Sequence, residues 1–331
     1  MKAVLIAAPA LLLFCASLAT LQNPPPPPAS KVDRQISIPI DDLPASAAIH
    51  MSGAEIVDMT AKLLAALKQQ QVSAVGFVNE RRLYYNLAQT SDTIKALNLW
   101  LDNGFELGNH TFAHTSLNRA GLKAFEDDVI QGEPLLKLLL APHGKPLRYF
   151  RHPYLDTGRD VQTRREADAF LTQRGYRIAP VTLDAWDWNF AALYDDARHR
   201  GDKGLQQQVV AAYLAFHEAV FDYFEKLSRS LLGYEPKQIL LLHANWLEAE
   251  HVGELLELIK RRGYRFITLE NALGDDAYGL PDTWVGEEGR GWIEHWAITR
   301  GQPPLNAPVF PADIQARIDA LPKALRPDSL D

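Results

Sequence analysis

The stretch "SDTIKALNLWLDNGFELGNHTFAH", Ser91 to His114, sets the reading of the whole chain. Its first part, Ser91 to Asn103, is helical in pattern. Ser91 has the side-chain oxygen that caps a helix start, and Gly104 is placed to stop it. "FELGNH" then reads as a short strand running into a loop. The loop carries two histidines four residues apart, His110 and His114. A helix, a short strand and a polar loop follow one another within one short span of chain.

The same unit recurs on both sides. Upstream, "QISIPI" alternates through Ile36, Ile38 and Ile40 and runs into "DDLP", which reads as a strand. Ala54 to Gln70 places Ile56, Met59, Leu63, Leu64 and Leu67 at helical spacing, and "VSAVGFV" follows as a strand. Downstream, a helix is expected over Leu122 to Leu140, then a strand and turn at "LRYFRHPY". A helix over Arg164 to Arg174 leads to a strand at "YRIAPVTLD". The long amphipathic stretch from Lys203 to Leu232 is helical. "QILLLHA" reads as a buried strand, "GELLELIKRRG" as a helix, and "YRFITL" as a closing strand. Such alternation predicts α/β units on a parallel sheet, open or closed into a barrel. After Gly274 the chain turns irregular, with Trp284, Trp292, Trp296 and many prolines, and reads as an extension packed on the main domain.

Charge narrows the function classes. With a net charge of −7 and no basic stripe, nucleic acid is excluded as an expected partner. Lys2 precedes the apolar run "AVLIAAPALLLFCASLAT", with small residues at Ser17 and Ala19, and Pro24 to Pro28 follow as a stiff spacer. The run is short for a membrane span, so a removable signal peptide over residues 1–20 is expected, followed by a Pro-rich linker over 21–33. No membrane span is then expected in the mature chain, and export to a periplasm or the exterior is. Cys15 is the only cysteine, so a processed chain would have no disulfide, thiol nucleophile or thiolate metal site.

Polar groups gather where the predicted strands end. The first strand ends in Asp41 and Asp42, and His110 and His114 follow a later one. Arg151, His152, Pro153 and Tyr154 follow another, then Asp184 and Asp187 around Trp186 and Trp188, then His243. In parallel α/β barrels that end of the strands holds the active site. Packing explains one or two such coincidences far better than five. Two imidazoles at i, i+4 reach one metal ion if the segment is helical or tightly turned. A carboxylate from another strand would complete three ligands and leave positions open. On a strand end, Asp41 and Asp42 point different ways, so one can ligate while the other stands as a base. Alone, His110 and His114 are as readily solvated or core histidines, and a lone Asp-Asp is most often a turn.

Taken together these residues resemble the polysaccharide deacetylases of carbohydrate esterase family 4. The resemblance spans about Gln35 to Leu273 and rests on five motifs in the family's order. "PIDDLP" resembles the first, usually Thr-Phe-Asp-Asp-Gly-Pro. "HTFAH" is similar to the second, "FRHPY" to the third, "DAWDW" to the fourth and "LLLH" to the fifth. The resemblance implies a distorted (β/α) barrel, usually seven-stranded, here with a helical insertion and an irregular C-terminal extension. It places the catalytic domain over residues 34–274 and the extension over 275–331.

The family's roles fall residue by residue. Asp42, His110 and His114 would hold one divalent metal ion, usually zinc. Asp41 would be the general base and Arg151 its partner. The backbone N–H of Tyr154 would contribute to an oxyanion hole, and His243 would be the general acid. Asp187, ahead of Asp184, would tune that acid, while Leu241 and Trp188 would line the acetyl pocket. The implied function is metal-dependent removal of acetyl groups from an N-acetylated oligo- or polysaccharide. Two alternatives stand beside it: hydrolysis of another non-peptide amide or imide at the same site, and a catalytically silent carbohydrate-binding protein. The chain departs from the pattern at Leu43, where glycine is usual and a leucine would narrow the entrance. His152 is also unusual in its slot, as a substrate contact or a surface histidine.

Overall fold

The computed structural model describes residues 33–302 and 306–327. The expected signal peptide, Cys15 and the linker up to Val32 lie outside the described residues. From Asp33 on, the chain forms one compact unit.

Among the described residues there are nine short parallel strands: β1 (Arg34–Ser37), β2 (Ile40–Leu43), β3 (Val75–Val78), β4 (Glu106–Asn109), β5 (Tyr149–Phe150), β6 (Arg177–Ile178), β7 (Leu183–Asp184), β8 (Gln238–His243) and β9 (Tyr264–Phe266). Two of the expected strands are each split in two. Pro39 separates β1 from β2 and Pro180 separates β6 from β7; proline has no N–H to give a ladder. The hydrogen-bonded order runs β6-β5-β4-β3-β2-β8-β1-β9. The segment that begins as β6 beside β5 continues into β7, which pairs with β8. Because β8 in turn pairs with β1 and β2, the circuit closes on itself. The fold is thus a parallel α/β barrel, distorted by its interrupted strands, with β9 added alongside β1.

Strand alternation sorts side chains to two sides of the sheet. Phe77, Tyr149, Ala179 and Ile239 form one buried cluster. Gly108 makes room there: a Cβ at that position would sit 2.5 Å from the Phe77 ring. Ile36, Ile38 and Ile40 belong instead to the larger cluster under the surrounding helices.

Those helices are α1 (Gly53–Gln69), α2 (Thr90–Asp102), α3 (Leu117–Ala120), α4 (Leu122–Gln131), α5 (Pro134–Leu140), α6 (Val161–Gln173), α7 (Asp187–His199), α8 (Lys203–Leu232), α9 (Trp246–Arg261), α10 (Leu269–Ala272), α11 (Trp292–Thr299) and α12 (Ala312–Asp319). The single helix expected over Leu122 to Leu140 is two. Pro134 occupies the first turn of α5, where its missing N–H does no harm, and the chain breaks just before it. Helix α9 begins at Trp246, because Asn245 caps it by accepting from the Glu248 N–H at 2.8 Å. Beyond residue 274 the chain packs down through Trp284 and Trp296, both buried.

Among the described residues no helix is long and apolar enough to cross a membrane.

Candidate active site

The ends of β2, β4, β5, β7 and β8 bring the predicted residues to one place. Asp41 and His243 are direct partners across the β2–β8 ladder. Asp41 is buried, and its Oδ2 accepts from Arg151 Nη1 at 3.2 Å. The same oxygen lies 3.7 Å from His110 Nε2. Asp42 breaks the strand's alternation, because its backbone is left-handed with φ +64°. Instead of diverging from Asp41, it turns Oδ1 to 3.7 Å from His110 Nε2 and 3.6 Å from His114 Nε2.

The histidine loop is tightly turned rather than helical. Thr111 and His114 have φ of +63° and +59°, a conformation that must be held in place for such residues. Asn109 accepts from the Thr111 N–H at 2.7 Å, and Asp128 accepts from the Ala113 N–H at 2.9 Å. Thr111 Oγ1 accepts from the Thr115 N–H at 3.0 Å. The result sets the two imidazoles 4.9 Å apart, centroid to centroid. His110 Nδ1 lies 2.8 Å from the Arg151 carbonyl, which can only accept, so Nδ1 carries the proton and Nε2 keeps its lone pair.

This donor set fits a divalent cation. Asp42, His110 and His114 each offer one ligand atom, all within 4.8 Å of one another. Metal–ligand bonds of about 2.0–2.2 Å would draw such atoms to roughly 3–3.5 Å apart, a small contraction from the spacings seen. One carboxylate and two imidazoles leave coordination positions open.

Burial drives the Asp41 carboxyl up to about 6, against the pull of Arg151 and His243. Arg151 is itself fully buried, with its guanidinium over the Phe77 ring at 5.0 Å. His243 Nδ1 donates to Asp187 Oδ1 at 2.7 Å. Asp187 Oδ2 also accepts from the His243 backbone N–H at 2.9 Å and from Asn245 Nδ2 at 3.3 Å. Burial works against the imidazolium, but Asp187's charge and hydrogen bond overcome it and raise His243 to about 10. Asp184 does a different job. Its Oδ1 accepts from the Trp186 N–H at 2.9 Å, bracing a turn in which Trp186 has φ +50°.

The remaining predicted residues are placed less tightly. Tyr154 has φ +57°, and its ring lies 4.4 Å from that of His114. Leu241 is buried with Leu155 and Val181, whereas Trp188 is 38% exposed. Two sequence expectations fail. Leu43 does not narrow an entrance: it is fully buried, against Gly76 on the helix side of the sheet. His152 is not a surface histidine, being 1% exposed.

Two residues were missed. Arg82 Nη2 lies 3.3 Å from Asp42 Oδ2. Asn79 accepts from Arg82 Nε at 3.3 Å and donates to the His110 carbonyl at 2.6 Å. Asn79 directly follows β3, so the strand-end rule that singled out the others would have found it.

A family model for polysaccharide deacetylase matches residues 29–171, a span containing Asp41, Asp42, His110, His114, Arg151 and Tyr154. The chain is 24% identical over 235 residues to a chitin deacetylase of Colletotrichum lindemuthianum, covering 68% of this chain and 77% of that protein. It is 24% identical over 144 residues to a peptidoglycan-N-acetylglucosamine deacetylase of Bacillus cereus, covering 44% of this chain and 46% of that one. Among solved structures, it is similar to a polysaccharide deacetylase of Bacillus cereus at 18% identity and a TM-score of 0.48, covering 71% of this chain and 91% of that one. A carbohydrate esterase family 4 pseudoenzyme of Bacillus anthracis is similar at 16% identity and a TM-score of 0.48, covering 73% of this chain and 66% of the other. Residues 29–171 therefore match the polysaccharide deacetylase family, as do the curated relatives that are similar to this chain. That is a family of hydrolases acting on carbon–nitrogen bonds other than peptide bonds, generally dependent on a divalent metal.

Proposed function

We propose that the protein removes acetyl groups from an N-acetylated oligo- or polysaccharide, with Asp42, His110 and His114 holding a zinc ion. The observation that carries this reading is geometric: Asp41, beside the donor set of Asp42, His110 and His114, faces His243 across one ladder. Asp41, at about 6, is available as a base near neutral pH, while His243, at about 10, still carries its proton. Groups whose environments push them apart in this way divide into base and acid.

A divalent cation, when bound, polarises the acetyl carbonyl and lowers the pKa of water from ~15.7 to ~7. Asp41 takes the proton of the attacking water. Arg151, hydrogen-bonded to Asp41 Oδ2 at 3.2 Å, fixes the orientation of that carboxylate and favours its charged form. The Tyr154 N–H, presented by its left-handed backbone, stabilises the oxyanion as the carbonyl turns tetrahedral. His243 then gives its Nε2 proton to the departing amine, with Asp187 holding the imidazolium by Nδ1 so that the Nε2–H faces the substrate. Leu241 and Trp188 bound the space for the acetyl methyl. The apolar run Ala3 to Thr20 and the prolines after it support export, to the periplasm or exterior. The catalytic domain then spans residues 34–274, with 275–331 as its extension.

Acetate release is the test, measured on chitooligosaccharides, peptidoglycan, acetylxylan and simple amides. Release from the N-acetylated saccharides alone is expected. Turnover of a simple amide or a cyclic imide, with none of any saccharide, would replace this reading with the second hydrolase.

A further inference from the structure

The alternation of β5 runs on past its last residue, Phe150. Tyr149 joins the cluster containing Phe77 and Ile239, and Phe150 joins Phe125 and Leu171 under α4 and α6. Arg151 lies over Phe77 and reaches Asp41, and His152 returns to the Phe150 side. His152 therefore belongs to the outer layer and not to the catalytic centre. Its ring stacks on Phe125 at 5.5 Å with 5° between planes. Neither ring nitrogen has a partner in good hydrogen-bond geometry; the backbone of Asp156 lies beside the ring and favours its protonated form, as a carbonyl does. A buried imidazole with an unmet nitrogen is costly unless something fills the need.

His152 lines a cavity of about 550 Å³ between α6, the β6–β7 segment and the C-terminal extension. Thr157 lines it too, and is 2% exposed with an equally unmet Oγ1. Asp168 and Arg164 come from α6, and Tyr278 and Trp292 from the extension. The volume falls in the range of small-molecule sites.

The lining selects the ligand's chemistry. Arg164 is already paired, with Nη2 donating to Asp282 Oδ2 at 2.6 Å and Nη1 to the Trp284 carbonyl at 2.7 Å. Asp282 also accepts from His295 Nδ1 at 2.9 Å. No buried cation is left over to hold an anion. A cationic ligand would find Asp282 already taken by Arg164 and His295, and would approach the exposed guanidinium of Arg165. A wholly apolar one would leave His152 and Thr157 unmet. A neutral ligand with several hydroxyls satisfies all of them. A hydroxyl both donates and accepts, a neutral imidazole offers one of each, and so does a threonine. Trp292 and Tyr278 supply faces for the C–H side of a ring. Burial drives His152 down to about 3, which keeps it in the neutral form this match needs.

We propose that this cavity is a second binding site, separate from the catalytic one, for one small neutral polyol of monosaccharide size, held by His152, Thr157 and Asp168 against Trp292.

The test is equilibrium titration of the full chain with glucose, N-acetylglucosamine and inorganic phosphate. The variants are Thr157→Val, His152→Phe and the metal-site double variant His110→Ala/His114→Ala. Thr157→Val is near-isosteric at an unpaired hydroxyl, so its melting temperature checks that the fold is kept. Saturable sugar binding is expected in wild type and in the double variant. It should weaken at least tenfold in Thr157→Val and His152→Phe, with phosphate not binding. No saturable sugar binding overturns the proposal, as does binding that Thr157→Val leaves intact, binding lost in the double variant, or a preference for phosphate. Acetate release is a separate readout, so failure of the catalytic reading would be seen independently.

Discussion

The two ends of the barrel treat buried carboxylates in opposite ways. At the N-terminal ends of the strands, Glu235 Oε2 accepts from Arg34 Nε at 2.7 Å and Oε1 from Arg34 Nη2 at 3.0 Å, with Arg229 also bound. Glu225 accepts from Arg34 at 2.8 Å, Arg262 at 3.1 Å and Tyr264 at 3.3 Å. At the other end, Asp41 and Asp42 face His110 and His114 across 3.6 to 3.7 Å, too far for hydrogen bonds. Asp41 Oδ1 and Arg151 Nη2 are buried with no partner at all. Left-handed backbone gathers here as well, at Asp42, Thr111, His114, Tyr154, Leu155 and Trp186. One end is satisfied within itself. The other holds left-handed backbone and single buried polar atoms without a partner, which a cation and a substrate would engage.

The sharpest way to break this contrast is Asp41→Asn. It should cut turnover by roughly 10²-fold or more, the usual worth of a general base, while divalent-ion content stays near wild type. Activity close to wild type would remove Asp41 from the base role. At the satisfied end the reverse is expected. Glu235→Ala should lower unfolding free energy by about 1–3 kcal/mol, because Arg34 loses one of its two carboxylate partners and Arg229 loses the same one, with kcat unchanged. Chemical denaturation and steady-state kinetics together check both halves.

One half of this division was legible in the sequence, because the polar cluster follows from where short strands end; the Arg34, Glu225 and Glu235 cluster was not. The alternating helices and strands gave the barrel class. The polar groups after "PI", "LGN", "YF", "VTL" and "LLL" gave the catalytic face. Two kinds of feature were hidden. Local interruptions depend on single residues: Pro39 and Pro180 split strands, and Gly132 with Pro134 splits a helix. Long-range pairings depend on the folded backbone. The turn that makes Asp42 converge on both histidines, the reach of Arg82 to Asp42, and the burial of Leu43 and His152 have no periodic signature. The choice between Asp184 and Asp187 also needed the fold, since one braces the turn and the other meets the histidine.

A finer test separates acid from base. The rate should be bell-shaped in pH, rising as Asp41 loses its proton and falling as His243 loses its own. Asp187's carboxylate favours the imidazolium, so the folded-state pKa of His243 is raised to about 10 and the histidine holds its proton to high pH. Asp187→Asn removes that charge. The falling limb should therefore move to lower pH while the rising limb stays in place. A shift confined to the rising limb would assign Asp187 to the base side.

The central claim is that the unmet end of the barrel is a metal site on which deacetylation depends. The most direct measurement is divalent-metal content together with acetate release, in wild type and in His110→Ala/His114→Ala. Wild type should hold one divalent ion per chain and release acetate from an N-acetylated oligosaccharide, and the double variant should do neither while keeping a cooperative melt. Equal metal content in the two proteins, or undiminished acetate release from a metal-free double variant, would contradict it.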